Sequence, residues 1–320
     1  MVFYPDNIHR AGRLQQLVNS MANLQADISH AAQEIDRRNS TLQPVINGVL
    51  TQKGFSSTDD LIAKSVPKLA PEEVKQFQGL LAAVKMSADG FDWSHFMAGL
   101  LLLPEGVAPT GKLFISVGRL VLKMCTLSML SKFFASTQSD VTAATEAAGK
   151  LQKIVGDVQS TIKGISTTGD SGPEIEKTVS MMNRLGTLLQ ALGTVSFASF
   201  NLLVTLESIQ GAEQNTRLID AIHTCQVGRL CMFYFIKEGR NISEQLETLS
   251  LYLKALRGPD GGGAMVANYV GNKCIQNLTS EKPSTDMSAL ESILDAQDRA
   301  VPNYYSDDDL SHDDVVSRAN

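Results

Sequence analysis

Aromatic residues and enzyme motifs are both scarce in this sequence of 320 residues. Aromatic side chains make up 6% of the chain, and Trp93 is the single tryptophan. No GxSxG, Walker-type, HExxH or GxGxxG pattern occurs, and the glycines at 258–263 (GPDGGG) lack the lysine and hydroxyl residue of a phosphate-binding loop. We therefore predict a protein that is not an enzyme and that holds no cofactor or catalytic metal.

Histidine and cysteine show no spacing of a metal site. The histidines are dispersed, so each is interpreted as a surface or hydrogen-bonded core residue: His9, His30, His95, His223 and His312. The cysteines lie in apolar helical surroundings and have no CxxC spacing, which predicts buried thiols: Cys125, Cys225, Cys231 and Cys274. The first ten residues lack the basic and apolar regions of a secretory signal. We expect a soluble form that is cytoplasmic or released by a non-classical route.

The charge is concentrated beyond residue 280. The chain has a formal net charge of -6, of which -7 falls on residues 281–320, so the preceding part is close to neutral and shows no basic field for nucleic acid. We predict a helical bundle over 1–280 and an acidic, largely disordered tail over 281–320, with at most a short helix at 286–298. The acidic run Asp307–Asp314 (DDDLSHDD) fits a solvated tail better than a weak divalent-cation site.

A heptad pattern near the start predicts one long helix over about 7–43. Its apolar positions are spaced alternately by three and four residues, with one step missed at Arg38: Leu14, Leu17, Met21, Leu24, Ile28, Ala31, Ile35 and Leu42. Pro44 is expected to end or kink this helix. Such a length is typical of an elongated bundle.

Further helical patterns follow along the chain. A turn and N-cap at 54–60 (GFSSTDD) precede a short helix over about 58–65, and a second heptad runs from Val141 to Ile165. Apolar positions predict one helix over 218–236 that relaxes near Gly239. From Ile242 to Leu256 the apolar residues recur every three or four positions and form one apolar stripe, which we call a seam. The glycine run at 258–263 should end that seam before a helix over 264–278. Because no alternating strand pattern occurs, we predict an all-α, elongated multi-helix bundle.

Two apolar regions interrupt the heptads and predict an apolar head or hairpin. The segment 93–134 carries Arg119, Lys123 and Lys132, each costly at the centre of a bilayer, so a core or interfacial helix fits it better than a simple span. The segment 185–206 (LGTLLQALGTVSFASFNLLVTL) has no charged side chain between Arg184 and Glu207. As a helix it would match the hydrocarbon thickness of a membrane.

The segment 185–206 has two possible interpretations. A helix that is apolar on all sides belongs either in a protein core or in a membrane. Its small residues permit close helix contact in lipid or a tight hairpin turn, and the part 193–200 could equally fold back as a two-stranded tongue. The large apolar residues of this segment are the candidate membrane-inserting residues: Leu188, Leu189, Leu192, Val195, Phe197, Phe200, Leu202 and Leu203.

The long N-terminal heptad helix, the later heptad helices and the uncharged insert between them resemble the α-helical pore-forming toxins, such as cytolysin A, the three-component enterotoxins and the binary Xax/Yax cytotoxins. The resemblance covers about residues 6–256 and is one of pattern, without a shared motif. It implies a soluble form that stores an apolar tongue, and a membrane form that oligomerises with itself or a partner subunit. On this basis 185–206 is the inserting element; the alternative is a non-enzymatic soluble scaffold with a buried central helix.

Overall fold

The structure is a computed structural model that describes residues 6–66, 93–103, 212–257, 262–279, 285–302 and 304–319, with Pro71, Val74, Gln78 and scattered positions between 120 and 132. The fold is all-α, and no strand occurs within these ranges. The helices are α1 (Asn7–Lys53), α2 (Thr58–Ser65), α3 (Trp93–Leu101), α4 (Ala212–Leu256), α5 (Gly262–Thr279), α6 (Met287–Arg299) and α7 (His312–Ala319). The segment 185–206 and the heptad at 141–165 lie outside the described residues.

Two long helices, α1 and α4, pack against each other and form the framework of the described structure. At 1.5 Å per residue, α1 with its 47 residues is about 70 Å long. The α1 positions that the heptad predicted are buried, with the one change that Ala32 rather than Ala31 is among them. The α4 seam is also confirmed at Ile242, Leu246, Leu249 and Leu253, which are at most 1% exposed.

The helix α1 continues through Pro44, so the prediction that it ends at about residue 43 is wrong. Proline removes one backbone donor and crowds the carbonyl one turn before it. Pro44 lies on the exposed face, where water can hydrate that carbonyl, while Leu42 and Ile46 on either side are fully buried. Gly54, with a left-handed φ of 76°, caps the helix instead. The burial of Leu42 and Ile46 thus keeps the helix intact, although proline by itself tends to end or kink a helix.

Gly239 does not relax or break α4, which is one continuous helix through this position. A Cβ atom at residue 239 would lie 3.0 Å from the Ala31 Cβ atom and 3.2 Å from a Leu127 methyl group. The glycine therefore permits close approach of α1 to α4, and its cost in helix propensity is offset by this packing.

The described apolar residues of the first apolar region lie in the core or pack against it. Phe96, Met97 and Leu127 are at most 1% exposed, and the Lys123 ammonium lies 2.9 Å from the Glu238 carboxylate on α4. Of the two interpretations of 93–134, the core helix is the one that this burial supports. The short helix α2 begins as predicted, because the Ser57 hydroxyl accepts a hydrogen bond from the Asp60 backbone N–H.

The C-terminal residues are not a largely disordered tail. Residues 285–302 and 304–319 form α6 and α7 with their connection, and we call these residues the C-terminal arm. Leu290, Leu294 and Val315 are at most 2% exposed, and both helices of the arm contact α4. The predicted short helix at 286–298 is confirmed as α6. Composition alone does not reveal this order, because three of the arm's aspartates, Asp298, Asp308 and Asp309, pair with arginines of the framework helices.

Candidate functional site: an ion-pair cluster at the C-terminal arm

A cluster of ion pairs joins the C-terminal arm to both framework helices. We call it the arm cluster, and it consists of Arg10, Arg13, Arg229, Asp298, Asp308 and Asp309. Arg10 and Arg13 lie on the first turns of α1, Arg229 lies on α4, and the aspartates belong to the arm. The cluster was not predicted from the sequence. The available signals were a lone arginine within the apolar run 225–236 and an acidic run with no assigned partner.

Asp298 lies at the centre of the cluster and binds both framework helices. Arg229 forms a bidentate pair with it, with both nitrogen–oxygen distances at 2.6 Å, and the Arg13 Nη2 atom lies 2.7 Å from its Oδ2 atom. Burial alone would raise the pKa of Asp298, but the hydrogen bonds from Arg229 and Arg13 lower it below its ordinary value. Asp298 therefore stays ionised in a buried position.

Arg13 carries the second buried contact of the cluster. Its Nε and Nη2 atoms lie 3.0 and 2.7 Å from Asp309, and its guanidinium stacks 4.8 Å from the ring centre of Tyr304. Burial acts to lower the pKa of Arg13, and the hydrogen bonds to Asp309 and Asp298 raise it above its ordinary value. The side chain is 1% exposed, so its charge depends on these two carboxylates.

The outer contacts of the cluster are partly exposed. Arg10 Nε lies 2.8 Å from the Asp308 carboxylate, which also accepts a hydrogen bond from the Tyr305 hydroxyl at 2.7 Å. The arm backbone is bound as well, because the Leu310 N–H donates to the Gln226 side chain at 2.9 Å. Two residues of the run predicted as solvated, Asp308 and Asp309, are thus ion-pair partners, whereas Asp307, Asp313 and Asp314 are exposed. Within the described ranges no group of histidine, cysteine and acidic residues could hold a metal ion.

Glu291 is a buried acid beside the cluster and has a different role. Its side chain is 1% exposed, and its Oε2 atom has no hydrogen-bond partner among the residues that the structure describes. Burial raises the pKa of Glu291 to about 7, against an opposing effect of Arg229. Near neutral pH this acid therefore changes protonation state.

Hydrogen bonds connect α6 to α7 through three side chains in the order of a catalytic triad: Ser288, His312 and Asp295. The Ser288 hydroxyl lies 3.0 Å from His312 Nε2, and His312 Nδ1 lies 3.3 Å from Asp295 Oδ2. Acyl transfer also needs N–H donors aimed at the developing oxyanion. The Ser288 and Leu290 N–H groups already donate to Asp286. Since Ser288 is exposed, we interpret this triad-like contact as structural.

A polar groove of about 680 Å³ is lined by residues of α1 and α4. Its lining includes acids and bases from both helices, and Glu34 already pairs with Arg37 and Arg38 at 2.7 Å. These pairs neutralise much of the local charge, so the groove offers no uniform field for an ion or substrate.

The remaining predicted site residues have different outcomes. All eight candidate membrane-inserting residues, from Leu188 to Leu203, lie outside the described residues. Among the cysteines, Cys225, Cys231 and Cys274 are buried thiols as predicted, and burial raises the pKa of Cys225 and Cys274 to about 12; Cys125 lies outside the described residues. No helix in the described part of the chain is long and apolar enough to cross a bilayer.

Comparisons with protein-family models, with curated proteins and with solved structures found no significant match. The resemblance to pore-forming toxins therefore rests on the pattern of helices and apolar segments alone.

Proposed function

We propose that this protein is a membrane-inserting, oligomerising pore-forming protein that stores an apolar segment in its soluble form. One observation carries the proposal: residues 185–206 contain no charged side chain and are long enough to span a bilayer as a helix. The partners on this proposal are a lipid membrane and further copies of the chain or a partner subunit.

The framework helices support the proposal indirectly. In sequence, 185–206 falls between α1 and α4, whose heptad seams already cover each other. The other apolar region is fixed in the core by the Lys123–Glu238 pair and by residues such as Phe96. A buried, ion-paired region is a poor candidate for insertion, because the pair would have to be broken or carried into lipid. This leaves 185–206 as the preferred inserting element.

A soluble helical scaffold is the alternative function. The specific observation in its favour is that buried ion pairs of the arm cluster join both framework helices, as expected of a static bundle. Flotation of the native protein with vesicles distinguishes the two. A pore-forming protein moves with the vesicles in a density gradient, whereas a scaffold stays at the bottom.

Dye release from vesicles tests the proposal directly. Neutral vesicles of phosphatidylcholine and cholesterol, and anionic vesicles containing phosphatidylserine, are loaded with a self-quenched dye. The native protein should release the dye, and Leu189→Asp should abolish release because a charged group at a helix centre costs about 2.5–3.5 kcal/mol to insert.

Leu251→Asp is the matched control, since Leu251 is 53% exposed on α4 and lies outside the proposed inserting segment. It should release dye as the native protein does. Absence of both release and flotation with native protein on either kind of vesicle would refute the pore-forming function and leave the scaffold.

A further inference from the structure

The C-terminal arm bridges the two framework helices at one place. Asp298 is the shared partner of Arg13 on α1 and Arg229 on α4, so one side chain of the arm holds both helices. Asp309 adds a second contact to Arg13, and Asp308 a contact to Arg10. Separation of the first turns of α1 from α4 in this region therefore requires that the Asp298 contacts break.

The contacts of the arm with α1 that the structure gives are mainly polar. A buried ion pair contributes little net stability when it is intact, since desolvation cancels most of the attraction. Removal of one partner, however, leaves an uncompensated buried charge and is strongly destabilising. The arm should therefore stay attached to α1 while its ion pairs are complete, and the attachment should weaken sharply when one charged partner is lost.

We propose that the C-terminal arm is a releasable clasp, which holds the N-terminal turns of α1 against α4 and opens as one unit before the framework does. A role for the clasp at the membrane rests on the proposed pore-forming function, in which the framework helices must rearrange there. Its opening in water does not depend on that function. Hydrogen exchange measures, residue by residue, whether the arm opens before the framework helices.

Asp309→Asn is the variant of choice. It removes one of the two arm carboxylates that face Arg13, while Arg13 and Arg229 keep their contacts with Asp298, so the full chain should still fold. Asp307→Asn is the matched control, because it makes the same change at an exposed neighbour. Hydrogen exchange is measured on the full-length protein without vesicles.

The clasp predicts a local effect of Asp309→Asn. Amides of 304–319 and of the first turns of α1 should exchange about 10- to 100-fold faster than in the native protein, because Arg13 loses its charge-assisted hydrogen bonds to Asp309 and keeps only Asp298. Amides of the central seam, at 24–35 and 230–249, should be unchanged, and Asp307→Asn should exchange as the native protein does. Equal acceleration throughout the chain, or no acceleration in the arm, would overturn the clasp.

Dye release by the same variants then connects the clasp to the proposed function. If both hold, Asp309→Asn releases dye faster than the native protein and Asp307→Asn does not. Unchanged release by Asp309→Asn, with the native protein active, refutes a gating role for the clasp. If no variant and no native protein releases dye, the pore-forming function fails, and the exchange result alone decides whether the arm opens as a unit.

Discussion

The seam between α1 and α4 and the arm cluster hold the same two helices by different means. In the seam, residues such as Ile28 and Leu246 are fully buried and bind through apolar contact, which is non-directional and tolerant of small shifts. In the arm cluster, Arg13, Arg229 and Asp298 are also buried, but their contacts require fixed distances of 2.6–2.7 Å. The seam thus supplies stability, and the cluster fixes which segments meet.

The largest expected effect comes from breaking the cluster at its centre. Asp298→Asn should lower the free energy of unfolding by about 3–5 kcal/mol, because Arg229 is left without a carboxylate partner. The double variant Arg229→Met with Asp298→Leu leaves no buried cation without a carboxylate, because Arg13 loses Asp298 but keeps Asp309, and it should cost only about 1–2 kcal/mol. Urea unfolding measures both. Equal losses in the two proteins would show that the cluster provides net stability, contrary to the comparison.

The pH dependence sharpens the comparison, because Glu291 lies beside the cluster and is not ion-paired in it. The pKa of Glu291 is about 7 in the folded protein and near 4.5 when unfolded, so the folded state takes up a proton as the pH falls between these values. The stability should therefore rise from pH 8 to pH 5, by about 2–3 kcal/mol. Its neighbours are Arg229, Asp295, His312 and Asp298.

Glu291→Gln should remove most of this rise and should stabilise the protein at pH 8. The exposed change Asp59→Asn, made on α2, is the control and should preserve the native profile. Asp298 acts in the opposite sense, since its lowered pKa contributes stability that is present above about pH 4 and is lost in stronger acid. Thermal melting between pH 3 and pH 8 tests both. A native profile that is flat from pH 8 to pH 5 would contradict the role assigned to Glu291.

A smaller effect on stability is expected at Gly239, where α1 and α4 approach closely. Gly239→Ala gains about 1 kcal/mol of helix propensity, but its new methyl group would meet the Ala31 Cβ atom at 3.0 Å. We expect a net destabilisation of about 1–2 kcal/mol by overpacking. Gly12→Ala on α1 is the matched control: apart from its neighbours in the helix, no atom of the described residues lies within 4 Å of its Cβ position, so it should stabilise the protein. A stabilised Gly239→Ala would mean that α1 and α4 lie farther apart than described.

The smallest effect is expected at the triad-like contact. His312→Ala removes the hydrogen bonds to Ser288 and Asp295, which are partly exposed, and should cost no more than about 1 kcal/mol. Ser288→Ala should behave alike, and neither the native protein nor the variants should hydrolyse an activated ester. Hydrolysis by the native protein that Ser288→Ala abolishes would instead make the contact catalytic.

The sequence predicted the seam well because apolar periodicity is local information. The buried positions from Leu14 to Leu42, apart from Ala31, and the seam from Ile242 to Leu253 follow from spacing, and an N-cap within 54–60 follows from its serine, threonine and aspartate residues. Continuity through Pro44 and Gly239 was not predicted, since burial beside the proline and contact of the glycine with Ala31 are tertiary facts.

The arm cluster could not be found by the same method. Arg13 and Asp309 are 296 positions apart, and no periodicity connects residues at that separation. An acidic composition indicates disorder only where the acids lack buried cationic partners. The order of the arm therefore depends on Arg10, Arg13 and Arg229, whose burial only the fold reveals.

The long sequence separation within the arm cluster has a consequence for synthesis on the ribosome. Arg13 is translated 285 positions before Asp298, and Arg229 is translated 69 positions before it. Until the arm emerges, each of these nascent helices carries a cation without its carboxylate, which disfavours their close association in that region. Premature closure of the two helices is thus discouraged until Asp298 has been translated.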